Sequence, residues 1–387
     1  MKTTRSSPKA NPWRAYPRRW GHPLHSMCSY MAMFPPALAR YFIRHYSKKG
    51  DIVADPFAGR GTGPVEALLT GRVPLASDLN PVAVALNQAK ITLPSKGRVI
   101  KRIGDLEKQF RRSRFKGKPP KDVALFFHWK TMREILWLKA HLNRRSKVDR
   151  FLIGVILGAL HGTWTKKGKV RSYLSVHTPN TMSLSPGCMR NHLAKTGLKP
   201  KYAPTFDILR LRINHIYSED VPKAIGAAYL ADARELAKHL PRKWHGSVRL
   251  VFTSPPYLDV ISYGKYNWLR LWFLGYDDYR PIEKATRGGS NLAAYLKFMC
   301  DFGQTLKPLL KKNAHVVLVI GDVYSARKNE SLGLGELVTA LWTHKLGYRH
   351  VKTFVDEIRQ EDKVSRLWGK DKTGKATKID RIIVFKA

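Results

Sequence analysis

The chain has 387 residues, of which 43% are hydrophobic and 11% are aromatic. These fractions suffice for a packed core and argue against a wholly disordered protein. Lys and Arg number 70 against 28 Asp and Glu, which gives a formal net charge of +42. Such an excess predicts a polyanionic partner, because neutralisation of phosphates drives basic proteins onto nucleic acid. A generally basic protein without such a partner is the alternative interpretation.

The three cysteines, Cys28, Cys188 and Cys300, are scattered and form no CxxC pair. This spacing argues against a disulfide framework or a structural zinc site and is typical of a reducing compartment. The N-terminus lacks the apolar stretch of a signal peptide, and the longest apolar run, residues 151–160, is too short to span a bilayer. We therefore expect a cytoplasmic protein without a metal site.

The first elements in chain order are an arm, a helix and two strand–helix units. Residues 1–25 combine prolines and basic residues without periodic apolar positions, which predicts a flexible basic arm. Over residues 30–46 apolar residues recur at helical spacing, with Pro35-Pro36 at the start of the helix. Strands at 51–55 and 73–77 are each followed by a turn and a helix. This alternation is typical of a parallel, doubly wound sheet.

Residues 95–225 differ in character, because basic clusters there alternate with helical patterns. We interpret this region as a largely helical, basic insertion. Five further strands are predicted after it, at 227–231, 248–252, 315–320, 350–354 and 380–385. The sequence thus predicts an α/β fold, a Rossmann-like seven-stranded sheet whose two halves, residues 26–94 and 226–387, flank the insertion.

A glycine-rich segment, residues 55–63 (DPFAGRGTG), follows the first strand and opens a helix. Glycines let the backbone turn tightly and approach a cofactor, and the helix N-terminus offers N–H donors. The spacing of Gly59, Gly61 and Gly63 is neither the dinucleotide fingerprint nor a P-loop. An ordinary strand–helix turn is the alternative interpretation.

Two aspartates follow the next strands. Asp78 ends the second strand, where a carboxylate can accept hydrogen bonds from ribose hydroxyls. Asn80-Pro81 already supplies the cap of the next helix, which leaves Asp78 for a ligand. Asp232 follows the third strand and could meet an adenine amino group, but Asp232-x-x-Glu235 equally matches a capping box. Both interpretations of Asp232 stay open.

The segment Thr253-Ser254-Pro255-Pro256-Tyr257 ends an apolar strand, so it lies at the carboxyl edge of the sheet, where open α/β folds bind ligands. Two prolines remove two N–H donors and fix φ, which makes the loop rigid and presents its carbonyl oxygens. Ser254 Oγ and the Pro255 carbonyl could accept the hydrogens of an attacking amino group, and Tyr257 could stack on its ring. A proline-rich loop with an incidental tyrosine is the alternative.

Two further groups are candidates for substrate binding. Residues 263–273 are densely aromatic and indicate mainly a core helix, but Tyr263, Lys265 and Tyr266 could border a base pocket. The second group is a basic cluster in the insertion that could contact phosphates, namely Lys166, Lys167, Lys169 and Arg171.

Together these motifs resemble the amino-group DNA methyltransferases of restriction–modification systems and phages. Residues 55–62 are similar to their cofactor motif, Asp78 and Asp232 to their acidic residues after strands two and three, and Phe34-Pro35 to a segment that helps hold methionine. The resemblance implies S-adenosyl-L-methionine as cofactor and a bacterial or phage protein associated with the nucleoid. The implied cofactor-binding residues are Phe34, Pro35, Asp55, Pro56, Phe57, Gly59, Gly61, Thr62, Asp78, Asn80, Asp232 and Thr253.

The proline loop resembles the family's catalytic motif, with Ser254, Pro255, Pro256 and Tyr257 as catalytic residues. Its Ser-Pro-Pro form is more typical of cytosine-N4 enzymes, whereas adenine-N6 enzymes usually carry Asp-Pro-Pro or Asn-Pro-Pro. The resemblance implies direct methyl transfer to N4 of a cytosine, either flipped out of duplex DNA or in a single strand, with target recognition in the insertion. No cysteine adjoins the two prolines, which excludes methylation at cytosine carbon 5. Adenine-N6 methylation of DNA, methylation of an RNA base amino group and a basic architectural DNA-binding protein are the alternatives.

Overall fold

The computed structural model of the protein describes residues 11–15, 21–31, 33–162, 172–222, 225–256, 258, 261–287, 289, 291–325, 330–357 and 379–387. Among these residues, the strands are β1 (Ile52–Asp55), β2 (Val73–Asp78), β3 (Ala227–Leu230), β4 (Val248–Thr253), β5 (Leu310–Gly321), β6 (Tyr324–Ser325), β7 (Glu330–Ser331), β8 (Arg349–Glu357) and β9 (Ile379–Lys386). Strands β6 and β7 pair only with each other, and the other seven form one sheet.

The sheet has the strand order β3-β2-β1-β4-β5-β9-β8. The first five of these strands are parallel, and β9 is antiparallel to both of its neighbours. The chain leaves β1 in one direction, through β2 to β3, and then returns to add β4 on the other side of β1. This reversal creates a switch point between β1 and β4, the place where such sheets bind ligands. The predicted α/β fold and all seven predicted strands are confirmed.

The helices complete the layers around this sheet. Their bounds are α1 (Pro36–Tyr46), α2 (Thr62–Leu69), α3 (Pro81–Ile91), α4 (Lys96–Arg112), α5 (Lys121–Ala124), α6 (Trp129–His141), α7 (Lys147–Ala159), α8 (Pro186–Thr196), α9 (Thr205–Ile216), α10 (Leu236–His239), α11 (Tyr263–Tyr266), α12 (Trp268–Phe273), α13 (Arg280–Ala285), α14 (Leu292–Leu306) and α15 (Leu334–His344). Short 3-10 helices lie at Pro12–Ala15, Pro23–Met27, Ala233–Glu235, Arg242–Trp244 and Lys307–Leu309. Among the described residues, no helix combines the length and the apolar character that a membrane crossing requires.

Both faces of the sheet are covered. Along β5, Val317 and Val319 pack with α1, while Val316, Leu318 and Ile320 pack on the opposite face with α14 and α15. Successive side chains of a strand point to opposite faces, so a strand covered on both sides is apolar without interruption. This explains why residues 316–320 are apolar without interruption.

The helices α4 to α9 share one core with α3 and α12. Helix α7 closely approaches α3 and the 3-10 helix Pro23–Met27 because two of its residues have no side chain. A Cβ at Gly154 would overlap the Ala89 side chain, and one at Gly158 would overlap the Met27 carbonyl. The close approach therefore fixes the insertion to the half of the sheet that contains β1 and β2.

The predicted flexible arm over residues 1–25 is wrong for the part that the structure describes. Trp13 is fully buried among Tyr41, Phe42 and Phe354, and its indole N–H donates to the Asp356 carboxylate at 3.2 Å. The segment was not predicted to be ordered, because one buried tryptophan among polar residues produces no periodic pattern of apolar positions. Helix α1 begins at Pro36, where Pro35-Pro36 predicted its start, since a proline disfavours helical backbone in the residue before it.

We expect Trp13→Ala to lower the free energy of unfolding by about 3 to 5 kcal/mol, the usual cost of deleting a buried tryptophan side chain. Trp129→Ala is the matched control, because Trp129 is 64% exposed and should cost no more than about 0.5 kcal/mol. Equilibrium denaturation in urea measures both variants. Equal stabilities of the two variants would contradict the docked position of residues 11–15.

Candidate active site

One cavity lies at the carboxyl ends of β1, β2, β3 and β4. The loops that follow these four strands line it, and its volume is about 1130 Å³ including the solvent at its mouth. The predicted residues that line the cavity are Phe34, Pro56, Phe57, Gly59, Thr62, Asp78, Asn80, Asp232, Ser254, Pro255, Pro256 and Tyr263. Segments from both halves of the sequence thus meet in one place.

Several predicted residues stand elsewhere. Pro35, Asp55, Gly61, Thr253, Lys265 and Tyr266 do not line the cavity. Asp55 and Thr253 are buried beneath its floor, and Lys265 is exposed on α11. Tyr257, Lys166, Lys167, Lys169 and Arg171 lie outside the described residues. Their roles remain predictions.

The glycine turn between β1 and α2 has the backbone that only glycine adopts without strain. Gly59 and Gly61 have φ values of +48° and +86°, and the Gly61 N–H donates to the Ala58 carbonyl at 2.7 Å. A Cβ at Gly61 would overlap the Asn87 side chain, and one at Gly63 would lie 2.8 Å from Asp55 Oδ2. The turn can therefore be this tight only with glycines in these places.

Asp78 holds the same turn from the neighbouring strand. Its carboxylate accepts the Gly59 N–H and the Asn80 N–H, both at 2.8 Å, and burial raises its pKa to about 6. Asp78 therefore also fixes the turn, which the sequence did not reveal, and its predicted role toward a ligand stays a prediction. Asn80 caps α3 as predicted, by accepting the Val82 N–H at 3.0 Å. A carboxylate offers about four acceptor positions, so Asp78 retains the capacity to bind a hydroxyl in the cavity.

Helix α3 supports the back of the turn with two side chains that sequence reasoning missed. Asn87 donates to the Gly59 carbonyl at 3.0 Å, and the Lys90 ammonium donates to the Arg60 carbonyl at 2.6 Å. Burial lowers the pKa of Lys90 to about 7 and that of Arg60 to about 10. The sequence could have indicated their role, because Asn87 and Lys90 are polar residues on the buried face of an otherwise apolar helix.

Thr253 joins the proline loop to the cofactor turn. Its hydroxyl donates to Asp55 Oδ1 at 2.6 Å and accepts the Phe57 N–H at 3.3 Å. Burial raises the pKa of Asp55 to about 7, against the opposing effect of the hydrogen bonds from Thr253 and Phe57. The last residues of β1 and β4, far apart in the sequence, are thereby locked side by side.

The described part of the proline loop lines the cavity with Ser254, Pro255 and Pro256. The Ser254 hydroxyl donates to the Val319 carbonyl of β5 at 3.0 Å. A hydroxyl that has donated its hydrogen can act toward a further group only as an acceptor. Its orientation therefore suits a donor such as an amino group.

Asp232 takes the capping position that its sequence allowed. Its carboxylate accepts the Arg234 N–H at 2.8 Å and forms an ion pair with the Arg234 guanidinium at 2.5 Å, so both residues reach the cavity as a pair. The Arg234 guanidinium and backbone N–H help hold the pKa of Asp232 below its usual range. Glu235 pairs instead with Lys238 and His239, so the capping box is only half formed.

Two tyrosine rings form one wall of the cavity. Tyr30 and Tyr263 stack with their centroids 6.3 Å apart, and the Tyr30 hydroxyl accepts the Asn80 side-chain N–H at 3.1 Å. Tyr263 was predicted and Tyr30 was missed, because Tyr30 precedes α1 without any motif around it. Other lining residues that the motifs did not reveal are Met31, Met33, Arg60, Arg234, Arg287 and Phe298. Among the described residues, no three His, Cys, Asp or Glu side chains are grouped so as to hold a metal ion.

Comparison with known proteins finds relatives of the N-terminal segment, which contains the glycine turn and Asp78. Residues 4–89 match the family model described as DNA methylase, which is that of the N6 and N4 methyltransferases. A segment of 68 residues is 31% identical to the type II methyltransferase M.MjaII of Methanocaldococcus jannaschii and covers 18% of this chain and 13% of that protein. Residues 4–89 are thus similar to the amino-group DNA methylases. The predicted family and its cofactor, S-adenosyl-L-methionine, are thereby confirmed.

Among solved structures, TrmN of Thermus thermophilus is 13% identical, with a TM-score of 0.36 over 95% of this chain and 52% of that one. The putative DNA modification methylase TTHA0409, also of Thermus thermophilus, is 22% identical, with a TM-score of 0.25 over 40% of this chain and 51% of that one. The chain thus spans about half of each of these proteins and about an eighth of M.MjaII.

The residues in the cavity fit S-adenosyl-L-methionine. The tight glycine turn opens α2 and contributes Gly59 to the cavity lining, and Asp78, which also lines the cavity, is an acceptor suited to ribose hydroxyls. Phe57 and Phe298 offer apolar ring surface 5.7 Å apart in the same cavity, next to the Asp232–Arg234 pair. Apolar walls with a few convergent polar groups are typical of cofactor sites.

We expect Thr253→Val to lower the free energy of unfolding at pH 7.5 by about 1 to 3 kcal/mol, because a buried carboxylate loses its hydroxyl donor. Thr253→Ser keeps that donor and should lie close to the wild type. Chemical denaturation of the three proteins measures the difference. If the Val and Ser variants were equally stable, the bond between Thr253 and Asp55 would have no part in stability.

The raised pKa of Asp55 predicts a pH-dependent contribution to stability. Between about pH 4 and pH 7 the folded protein retains a proton that the unfolded chain releases, so stability falls as pH rises, by up to about 1.4 kcal/mol per unit. Above that range the contribution is constant. Asp55→Asn removes this titration, so the stability of the wild type minus that of the variant should decrease from pH 4.5 to 7 and then level off. A difference independent of pH would show that Asp55 titrates in its ordinary range.

Proposed function

We propose that the protein is an S-adenosyl-L-methionine-dependent DNA methyltransferase that methylates an exocyclic amino group of a base. The observation that carries this proposal is the shared cavity of the cofactor turn and the Ser254-Pro255-Pro256 loop. The bond between Thr253 and Asp55 fixes the separation of these two segments. A donor of methyl groups and an acceptor of amino hydrogens thus face one space.

In the proposed reaction the bound cofactor supplies an electrophilic sulfonium methyl group. The chain contributes the position of the target base, since Ser254 Oγ and the Pro255 carbonyl accept the two hydrogens of its amino group. The nitrogen lone pair would then be directed at the methyl carbon, so that the new C–N bond replaces the sulfur–methyl bond, the thioether product departs and one amino proton is lost to solvent. Such positioning and fixed acceptors account for most of the rate in reactions that need no protein nucleophile. Tyr257 would stack on the ring.

DNA as the substrate is supported by the family of residues 4–89 and by the net charge of +42. Three arginines, Arg60, Arg234 and Arg287, also line the cavity. An amino group inside duplex DNA is out of reach, so we propose that the target base is flipped into the cavity or taken from a single strand. The helical insertion over residues 95–225 would then read the target. A place in a restriction–modification system or in phage genome protection fits this reaction.

We propose cytosine N4 as the methylated atom, because the acceptor in the loop is the neutral hydroxyl of Ser254. Its hydrogen bond to Val319 orients the oxygen lone pairs toward a donor. Incubation of the protein with duplex DNA, single-stranded DNA and RNA, followed by nucleoside mass spectrometry, tests this choice. We expect N4-methylcytosine in DNA. N6-methyladenine alone would show that the target base is adenine, and methylated RNA alone would show that the substrate is RNA. DNA binding without any methylation would indicate an architectural protein.

We expect Ser254→Ala to lower the rate of methyl transfer at least 100-fold while the affinity for S-adenosyl-L-methionine changes less than twofold, because the lost acceptor faces the base. Ser247→Ala is the matched control. Ser247 lies at the opposite end of β4, where its hydroxyl donates to the Trp244 carbonyl at 2.7 Å. Full activity of Ser254→Ala would rule out its role as an acceptor.

Asp78→Asn should show the reverse pattern, with weaker cofactor binding as its primary defect. An asparagine in the same place cannot accept two backbone N–H groups with both of its terminal atoms, so the turn that binds the cofactor is loosened. Calorimetric titration with S-adenosyl-L-methionine should show at least a tenfold loss of affinity. An unchanged affinity would place the cofactor away from Asp78.

A further inference from the structure

An exposed cluster of aromatic rings and a lysine lies on the helical insertion, away from the motifs that predicted the active site. We call Trp129, Lys130 and Tyr202 the aromatic–lysine patch. Trp129 is 64% exposed and Tyr202 is 44% exposed. The Lys130 ammonium lies 5.5 Å from the centre of the Trp129 ring and 5.8 Å from that of Tyr202. The ammonium thus bridges two exposed rings.

The patch stands on a rigid base. The Tyr202 hydroxyl donates to Glu134 Oε1 at 2.8 Å, and Glu134 also accepts the Thr205 N–H at 2.8 Å. Beside this pair, the buried Thr131 hydroxyl donates to the Ala203 carbonyl at 2.9 Å and accepts the Ala203 N–H at 2.8 Å. The loop that carries Tyr202 is therefore bonded to α6, the helix that begins with Trp129.

The exposed ring of Trp129 leaves apolar surface in contact with water, which is unfavourable in free energy and is not relieved when the chain folds. Large exposed apolar surface on a fixed support marks a site of contact, and tryptophan and tyrosine are enriched at such sites because their rings lose little conformational entropy on binding. The His128 side chain caps α6 by accepting the Lys130 N–H at 3.2 Å, so the start of the helix is fixed as well. A ready-made contact surface needs no rearrangement.

The charge of the patch selects the partner. The segments that carry it, residues 128–130 and 198–202, contain three lysines and no carboxylate, and Lys130, Lys199 and Lys201 are all exposed. An apolar protein partner would bury the Lys130 ammonium without a counter-ion, whereas a nucleic acid brings bases for the rings and a phosphate for the lysine. Base stacking on aromatic side chains beside cations is the usual means of binding unpaired nucleotides.

We propose that the aromatic–lysine patch binds nucleic acid, with an unpaired base stacked on Trp129 and phosphates contacted by Lys130 and its neighbours. The proposal rests on the proposed function for the identity of the polymer. It adds a contact surface on the insertion that is built from residues other than those of the cavity. Stacking on Trp129 requires a base that is not paired, so the patch should favour single strands or opened duplex over intact duplex.

The test is the affinity of the full chain for a fluorescein-labelled single-stranded 20-mer and for its duplex, measured by anisotropy. Trp129→Ala should weaken binding of the single strand about tenfold, the usual effect of losing one stacked base. Trp129→Phe keeps a ring and should lose much less. Lys130→Ala should instead make the slope of log affinity against log salt concentration shallower by about 0.7, the change expected for the loss of one phosphate contact on a single strand.

Tyr276→Ala is the control for the loss of an exposed ring, because Tyr276 is a partly exposed tyrosine in the turn after α12. It should bind the single strand like the wild type. If Trp129→Ala binds the single strand as tightly as the wild type does, the inference is overturned. It is also overturned if Trp129→Ala changes the oligomeric state in size-exclusion chromatography, because a second copy of the chain would then cover the patch.

Methyl transfer to DNA by the wild type separates this inference from the proposed function. If the wild type methylates DNA and Trp129→Ala binds the single strand normally, the inference about the patch is wrong and the proposed function stands. A wild type that binds no nucleic acid removes both. Methylation that persists in Trp129→Ala at saturating DNA, with a higher KM and an unchanged kcat, supports a contact surface outside the reacting site.

Discussion

One hydrogen bond, from the Thr253 hydroxyl to the buried Asp55 carboxylate, organises the site. It joins the carboxyl ends of β1 and β4, which are neighbours in the sheet although the whole insertion separates them in sequence. A carboxylate buried beneath a cavity floor is costly unless donors surround it, and the Thr253 hydroxyl and the Phe57 N–H supply them. The arrangement allows the proline loop only one position relative to the cofactor turn.

The glycine turn between β1 and α2 is likewise held in place by residues of neighbouring elements. Asp78 holds its Gly59 N–H from β2, while Asn87 and Lys90 hold its carbonyls from α3. The Gly59 N–H and the carbonyls of Gly59 and Arg60 are therefore all paired within the protein. A turn fixed in this way before binding loses little entropy when a ligand arrives, which is the physical meaning of a preorganised site.

Sequence patterns revealed those parts of this arrangement that are local. The seven strands showed as apolar runs, and the glycine turn showed because only glycine tolerates its backbone. Contacts between distant residues left no pattern. Trp13 looked like part of a flexible arm because its partner Asp356 is 343 positions away, and Tyr30 gave no signal because its role depends on Tyr263 across the cavity. Asp78 was predicted to bind a ligand, whereas its hydrogen bonds to the turn were not predicted.

The bond between Trp13 and Asp356 also sets an order of events during folding. Residues 11–15 are synthesised early, but the side chains that receive Trp13, on α1 and β8, are complete only after β8 has been made. Contacts of such large sequence separation form late, since the intervening chain must first be closed into a loop. During synthesis on the ribosome this tryptophan consequently stays exposed while most of the sheet assembles, and its burial marks the completion of the edge formed by β8 and β9.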